Sequence, residues 1–474
     1  MLINWFSPLP PAKTDIAHYT QRIMPILTKI SQVKLWTDDS NVIPSLQRHV
    51  VIYNVHQLNW RELNKAELTF YNIGNNPVFH TNIWKTAIRH PAIVVLHDEC
   101  LQDLFSAVYK QEVNGKQRFL SIMASYYGPR GYYDAERFWN GELETEELAI
   151  KYPLTEFAVE NAIGVVVHTS NLFNKLKDKL PVIYLPLPYP SKRKIKKEFK
   201  SKKNIYKLIL FGFIGKNRRL ESILNALATS SYKKYLQLNI YGEIWDQAYQ
   251  AYIEELIKKY NLQKQVKIHG FVSEDELDKA IFDSDLALNL RFPTMGEASG
   301  SQLRIWDNCL ASVVSKVGWY ATLPKECVEF VSIENEIKDL HRIFAELVHN
   351  PLKFYQKGLN GKRYLTTYHS PQNYIKHLLE FSQQVSSQHL VCKYLCEKTA
   401  NFFSSLSFNP DEHYLRQIAT AILQFNCMMD PKIWTRYKTY ITSLKEGSNG
   451  KKKAFTKVQL GLYKDFLHHL SHQL

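Results

Sequence analysis

The chain has 474 residues, with 60 Lys+Arg against 45 Asp+Glu and a formal net charge of +15. At about 150 residues per domain, that length predicts two or three domains. A composition 45% hydrophobic and 22% charged excludes disorder over most of the chain. Apolar runs such as Ala92 to Leu96 and Ile163 to Val167 fall far short of the ~18 residues of a membrane-spanning helix. No secretory leader pattern opens the sequence. Six cysteines are too sparse for a disulfide framework, so a reduced, cytoplasmic setting is expected. The basic excess leaves nucleic acid, an anionic membrane surface and anionic small molecules such as nucleotide sugars as partner classes.

In chain order, Val50 to Val55, Ala66 to Tyr71, Ala92 to Leu96 and Ile163 to His168 are short, apolar and β-branched, and predict buried strands. Helical patterns, Phe79 to Arg89 and Leu101 to Glu112, lie between them. Tyr126 to Tyr133 (YYGPRGYY) predicts a turn-rich aromatic loop. Ser191 to Asn204 holds eight Lys/Arg and one acid and predicts an exposed linker. The alternation then restarts: strands at Leu208 to Phe213, Leu236 to Tyr241, Val266 to Phe271, Leu286 to Leu290, Val313 to Val317 and Val328 to Ile333, with helices at Leu220 to Ala228 and Tyr249 to Tyr260. The fold class is α/β: two doubly wound parallel-sheet domains in tandem, whose ligands bind at the carboxyl ends of the strands. From about residue 385 the pattern is helical only. Gly447 to Lys453 predicts a flexible stretch, and Val458 to Leu470 a last amphipathic helix. Cys392 and Cys396 share a helix face without a second ligand pair, which predicts packing rather than a metal site.

The segment Asp285 to Pro324 is the most informative. A strand ends near Leu290, a loop carries Gly296 and Glu297, and a helix starts near Ser299 with Leu303, Trp306 and Leu310 on one face. Ala298, Ser299 and Gly300 are small, so an anion can approach the free N–H groups of the helix start, which its dipole favours. Glu297 cannot help a phosphate. It can accept hydrogen bonds from sugar hydroxyls or simply stabilise the helix end. No G-x-G-x-x-G follows the first strand of either domain, which disfavours a dinucleotide oxidoreductase.

This segment resembles the donor-site signature of family 4 of the retaining glycosyltransferases with the GT-B fold: Glu297 to Gly300, a helix, Leu310-Ala311-Ser312, a strand and Gly318. HGFVSEDEL (His269 to Leu277), IYG (Ile240 to Gly242) and FGFIGKNRRLESILNAL (Phe211 to Leu227) are similar to its upstream elements. In the first domain, Asn4 to Thr20 is similar to the family's opening loop, Tyr71 to Asn76 to a later strand end and Val94 to Asp98 to the acceptor-side strand. The ordered set covers residues 1 to about 385. It implies an N-terminal Rossmann-like acceptor domain (1–190), a basic linker (191–204), a Rossmann-like donor domain (205–370), a helix crossing back (371–385) and a helical extension (386–474).

The resemblance also implies roles. Arg218 falls at the family's lysine position against the donor diphosphate, with Lys216 and Arg219 as neighbouring cations and Ser299 and Gly300 at the helix start. Phe213 stands where the family has an arginine. Glu297 matches the first glutamate of the paired motif, which contacts the transferred sugar, with Gly296 beside it. Ile305 replaces the second glutamate, leaving Arg304 or Asp307 to hold the nucleotide. His97 matches the cleft histidine. Asp15 stands where the opening loop carries a glycine, and Asn75 and Asn76 fall on the acceptor side. Together these imply a metal-independent enzyme without cofactor, moving a sugar from a nucleotide-sugar donor to a glycan or lipid-linked acceptor with retention. Its partners would include an anionic membrane surface at the periphery and, through the extension, a second copy, but not nucleic acid. Asp15, Phe213 and Ile305 support the alternative: a degenerate member that binds a nucleotide sugar or glycan without turnover.

Overall fold

The computed structural model describes residues 1–191, 199, 203–244 and 246–405. The first sheet contains β1 (Leu2–Phe6), β2 (Gln32–Thr37), β3 (Val50–Ile52), β4 (Leu68–Ile73), β5 (Ile93–Leu96), β6 (Gly164–Val167) and β7 (Val182–Tyr184), in the order β3-β2-β1-β4-β5-β6-β7. The second contains β8 (Tyr206–Phe211), β9 (Leu236–Tyr241), β10 (Val266–Gly270), β11 (Leu286–Asn289), β12 (Ser312–Ser315) and β13 (Val328–Val331), in the order β10-β9-β8-β11-β12-β13. Every pairing is parallel. The central strands are buried along their whole length, as expected where helices cover both faces. The strand order reverses between β1 and β4 and again between β8 and β11, so each sheet has a crevice at those carboxyl ends. This is the two-sheet GT-B architecture.

Two predicted features are corrected, and a strand that the sequence did not predict is added. The opening segment is not a loop over Asn4 to Thr20: β1 occupies Leu2–Phe6, and a helix runs over Asp15–Ile30, capped by Thr14, whose side chain accepts from the Ile16 N–H. β2 was hidden because Gln32 and Lys34 dilute its apolar pattern. YYGPRGYY lies inside the Gly115–Trp139 helix, not a loop. Gly128 breaks the helix at φ +68, and Pro129 then starts the second half, where its missing N–H costs nothing. Phe119, Met123, Ala135 and Phe138 carry both halves into the core.

Three further contacts shape the ground beneath the site. Gly212, Gly242 and Gly270 end β8, β9 and β10 with positive φ. A β-carbon on Gly242 would stand 1.9 Å from the Gly212 carbonyl oxygen, so only glycine lets these strand ends meet. The Pro351–Tyr368 helix packs against the Gly300–Asp307 helix, and Lys362 reaches the buried Asp307 carboxylate at 2.6 Å and its carbonyl at 2.9 Å. The link between the sheets is latched by two histidines. His168 Nδ1 donates to Leu185 O at 2.9 Å, and His369 Nδ1 donates to Leu187 O at 2.8 Å.

The described chain divides into Met1–Leu378 and a unit beginning at Leu379. Of the second unit, the long Pro371–Ser405 helix is described as far as Ser405. It includes the backbone of Cys392 and Cys396, whose side chains, with residues 406–474, lie outside the described residues. So do Lys192 to Glu198 and most of the remaining basic stretch, along with the predicted flexible stretch and last helix. No helix among the described residues is long and apolar enough to cross a membrane.

Lys362→Ala should lower unfolding free energy by about 3 kcal/mol, because it strands a buried carboxylate. Urea denaturation measures it, and a loss under about 1 kcal/mol would show that Asp307 finds another partner.

Candidate functional site

A cavity of about 510 Å³ opens between the carboxyl ends of the two sheets. Its walls come from the segments after β1 (Lys13, Asp15), β5 (His97, Asp98), β6 (His168), β8 (Gly212, Phe213, Arg218), β10 (Phe271) and β11 (Arg291, Glu297 to Gly300). Two parallel sheets with facing switch points would place a cleft there.

Arg218 is 3% exposed at the end of a short turn after β8. Its Nε donates to Phe213 O at 3.1 Å, and its Nη1 to Asn289 Oδ1 at 2.9 Å. Both acceptors are neutral. A relay holds the asparagine: Asn289 Nδ2 donates to Gln302 Oε1, and Gln302 Nε2 donates to Ser312 Oγ. Burial, then the nearby Arg291 charge, lowers the Arg218 pKa to about 9, so the guanidinium is still positive at neutral pH. A buried cation whose hydrogen bonds go to neutral oxygens, with its nearest carboxylate, Glu297, acting only through space, favours an incoming anion in the cavity wall.

Glu297 also lines the cavity. Its Oε2 accepts from Thr294 Oγ1 at 2.8 Å and from the Met295 N–H at 2.9 Å, and Arg291 pairs with Oε1 at 3.3 Å. The carboxylate is thereby fixed in one orientation. Ser299 caps the Gly300–Asp307 helix by accepting the Gln302 N–H.

On the other wall, the His97 N–H donates to Ile73 O. Its Nε2 lies 3.0 Å from Asn72 Oδ1, and Asn72 Nδ2 donates to Phe6 O, which fixes the amide orientation. His97 Nε2 is therefore the donor, and Nδ1 keeps its lone pair. Burial, followed by the neighbouring His168 and His80, holds the ring well below its ordinary pKa and neutral. The Tyr19 ring meets it edge-on at 4.9 Å.

Other predicted residues are placed elsewhere. Arg219, at φ +57, turns its guanidinium onto Glu336 at 2.9 Å, outside the cavity wall. Lys216 is exposed in the preceding turn. Asp307 faces Lys362. Arg304 reaches the cavity rim but is paired with Asp278 at 2.7 Å and Glu274 at 2.8 Å. Gly296 packs on the first domain's loop, where a β-carbon would meet Glu99 Cβ at 2.3 Å. Asn76 caps the Pro77–Ala87 helix, and Asn75 Oδ1 accepts from the Asp103 and Leu104 N–H groups. The asparagines are explained by helix geometry.

The structure adds Asp98, Arg291, Arg22 and His168 to the wall. Asp98 and Arg291 each follow a strand end, the position that gave His97, so a stricter use of that rule would have found both. Asp98 Oδ2 accepts the Asn75 N–H at 2.7 Å. Burial, then the Glu297 charge, pushes its carboxyl up to about 7. His168 donates through Nδ1, which leaves its buried Nε2 without a partner. Nothing in sequence spacing marks His168 or Arg22.

In comparison with known proteins, residues 191–304 match the family of glycosyl transferases group 1. Over this donor-side segment the chain is similar to the group 1 glycosyl transferases. That match spans the linker, β8 to β11, the turn after β8 that bears Arg218 and the loop after β11 that bears Glu297. No curated protein matches in sequence. Among solved structures, sucrose-phosphate synthase from Thermosynechococcus elongatus is 13% identical, with TM-score 0.54, covering 81% of this chain and 99% of that one. Anabaena HepE, solved with UDP and glucose, is 12% identical, with TM-score 0.55, covering 80% and 98%. A glycosyltransferase from Rickettsia africae is 11% identical, with TM-score 0.54, covering 81% and 98%. At these identities the likeness is one of fold.

Asp98 makes the site's pH response specific. An acid whose pKa is about 7 in the folded protein against an ordinary 3.8 binds more protons folded than unfolded between those values, so it lowers stability as pH rises through that window. Asp98→Asn should gain on the order of 2–4 kcal/mol over the parent at pH 8 and nothing near pH 4. Paired melts at the two pH values test this, and equal gains at both would rule it out.

Proposed function

We propose that the chain transfers a sugar from a nucleotide-diphosphate donor to a glycan or lipid-linked acceptor, with retention at the anomeric carbon, on the cytoplasmic side. The observation that carries this reading is Arg218: a buried guanidinium with only neutral hydrogen-bond acceptors, in the wall of a cleft between two doubly wound sheets. It is suited to a diphosphate, as are the Ser299 and Gly300 N–H groups at the adjacent helix start. Glu297, locked by Thr294, Met295 and Arg291, accepts hydrogen bonds from the sugar's hydroxyls. His97 offers Nδ1 as an acceptor to the same sugar from the opposite wall.

In the reaction, the acceptor oxygen attacks the anomeric carbon on the face from which the diphosphate departs. The bond from that carbon to the phosphate oxygen breaks, and the acceptor's proton passes to the departing phosphate oxygen. No protein nucleophile is required, and charge grows on the diphosphate as it leaves. Arg218 and the helix start stabilise that charge where it develops, which is the largest effect expected of such a site. Lys216 and Arg219 are not placed to contact the diphosphate, since they face solvent and Glu336 respectively.

The domain boundaries proposed with this function place the acceptor domain at 1–190 and the donor domain at 205–370, with a return helix over 371–385. HepE's complex with UDP and glucose makes UDP-glucose the first donor to assay. The competing reading, binding without turnover, is favoured by Asp15 in the cleft and by Ile305 buried in the helix that bears the donor site.

Incubation with a panel of nucleotide sugars should release free nucleotide with at least one donor, read by mass spectrometry. Glu297→Ala and Arg218→Ala should each reduce that release at least ~100-fold while retaining a cooperative melt. Donor binding without release for every donor would favour the competing reading, and near-normal turnover in both variants would misplace the site.

A further inference from the structure

Asp15 stands at the meeting of two helix starts. It is the first residue of the Asp15–Ile30 helix, and its carboxylate rests on Gly300, the first residue of the Gly300–Asp307 helix in the opposite domain. A β-carbon on Gly300 would lie 2.0 Å from Asp15 Oδ2 and 2.6 Å from Oδ1, so the contact exists only because Gly300 has no side chain. Both helix starts carry partial positive charge and favour an anion between them. Two turns along the first helix, Arg22 donates from Nη2 to Asp15 Oδ1 at 3.0 Å. Its Nη1 is buried with no hydrogen-bond partner, and the guanidinium lies over the Tyr189 ring at 4.7 Å. Asp15, Arg22, Gly300 and Arg218 all line the one cavity.

We infer that Asp15 is a built-in anion in the donor-phosphate subsite, and that Arg22 is a further phosphate-binding residue which Asp15 holds in place until the donor displaces it. The inference rests on the donor reading above. Two negative groups cannot share the Gly300 helix start without repulsion, so a phosphate arriving there must move the carboxylate aside. The Asp15 side chain is 48% exposed, which leaves it room to swing away. Arg22 is the better-buried partner at 18% exposure and already has one N–H pair unspent. When the carboxylate leaves, Arg22 is the nearest cation seen to lose its counter-charge, and the phosphate restores it. The residue that the family resemblance would have as glycine is thereby a determinant of donor affinity rather than a sign of lost function.

The test is calorimetric titration of the full chain with UDP and with inorganic pyrophosphate, at fixed ionic strength. Asp15→Asn and Asp15→Gly should bind both probes at least about fivefold more tightly than the parent. Arg22→Gln should bind them about tenfold more weakly, in the parent and in the Asp15→Asn background alike. Ligand-free Asp15→Asn should also melt below the parent, since two helix starts lose their anion, and UDP should raise its melting temperature by the larger amount. Parent binding with unchanged or weaker binding in both Asp15 variants overturns the role of Asp15 and leaves the donor reading standing. Unchanged binding in Arg22→Gln overturns the role of Arg22. Absence of binding by the parent and every variant overturns this inference and the donor reading together.

Discussion

A guanidinium taken out of water needs something negative, and Arg218 hydrogen-bonds only to neutral oxygens among the described residues, with the Glu297 carboxylate acting on it from a distance. The Phe213 carbonyl and the Asn289 amide orient it, and the Asn289–Gln302–Ser312 relay fixes the amide, but none of these cancels its charge. An ion pair made within the chain would have been more stable and would have closed the site. Leaving the charge uncancelled beside an open cavity trades stability for affinity, and the surrounding architecture serves that trade. Gly212 and Gly242 bring two strand ends together beside the guanidinium, and a β-carbon on Gly212 would stand 2.8 Å from Arg218 Nη2.

The second constraint is registration of the two walls. The Met295 carbonyl accepts both the Glu99 and Cys100 N–H groups, at 2.8 and 3.0 Å. The loop that carries Glu297 is thus bonded directly to the loop that follows His97 and Asp98. Lys13 adds a bridge to Glu243 at 3.0 Å and lies over Phe271. On the far side, His168 and His369 hold the crossover through Leu185 and Leu187. Burial lowers both rings to about 4, so they are neutral donors at physiological pH. The cavity-lining loops of the two walls are set by main-chain hydrogen bonds, which hold position more tightly than flexible side chains would.

These features differ in how far the sequence reveals them. Strands such as Ile93–Leu96 and Gly164–Val167 are legible because a strand buried on both faces must be apolar throughout. β1 and β2 were not, since Asn4, Gln32 and Lys34 interrupt the pattern: Asn4 is spent inside the core on the Leu63 carbonyl, and Lys34 on Glu62. That Arg218 and Glu297 line one cavity was legible because both sit in ordered motifs after strand ends. Arg219 was misleading, because adjacent cations look alike in a string, and only the positive φ at Arg219 sends one to Glu336 and leaves the other in the cleft. Asn75 was misread for a related reason. Its side chain serves the start of a helix 27 residues further on, and its effect on the site runs through the N–H it gives to Asp98.

Asp15 shows why a departure from a family pattern has to be weighed in three dimensions. In the linear sequence, an acid in place of a glycine, in a loop that should approach a diphosphate, reads as damage. In the fold, that acid lies between two positive helix ends, is paired with Arg22 and is accommodated by the missing side chain of Gly300. Gly300 belongs to the signature that the donor-side segment resembles, and the Asp15 carboxylate occupies the space its missing side chain leaves. A carboxylate that only repelled the donor would also leave Arg22 without purpose, yet Arg22 is three-quarters or more shielded from solvent, stacked on Tyr189 and only partly hydrogen-bonded. The arrangement is that of an anion site kept filled, in which the free-energy difference between carboxylate and phosphate sets how tightly the donor is held and how readily the spent diphosphate leaves.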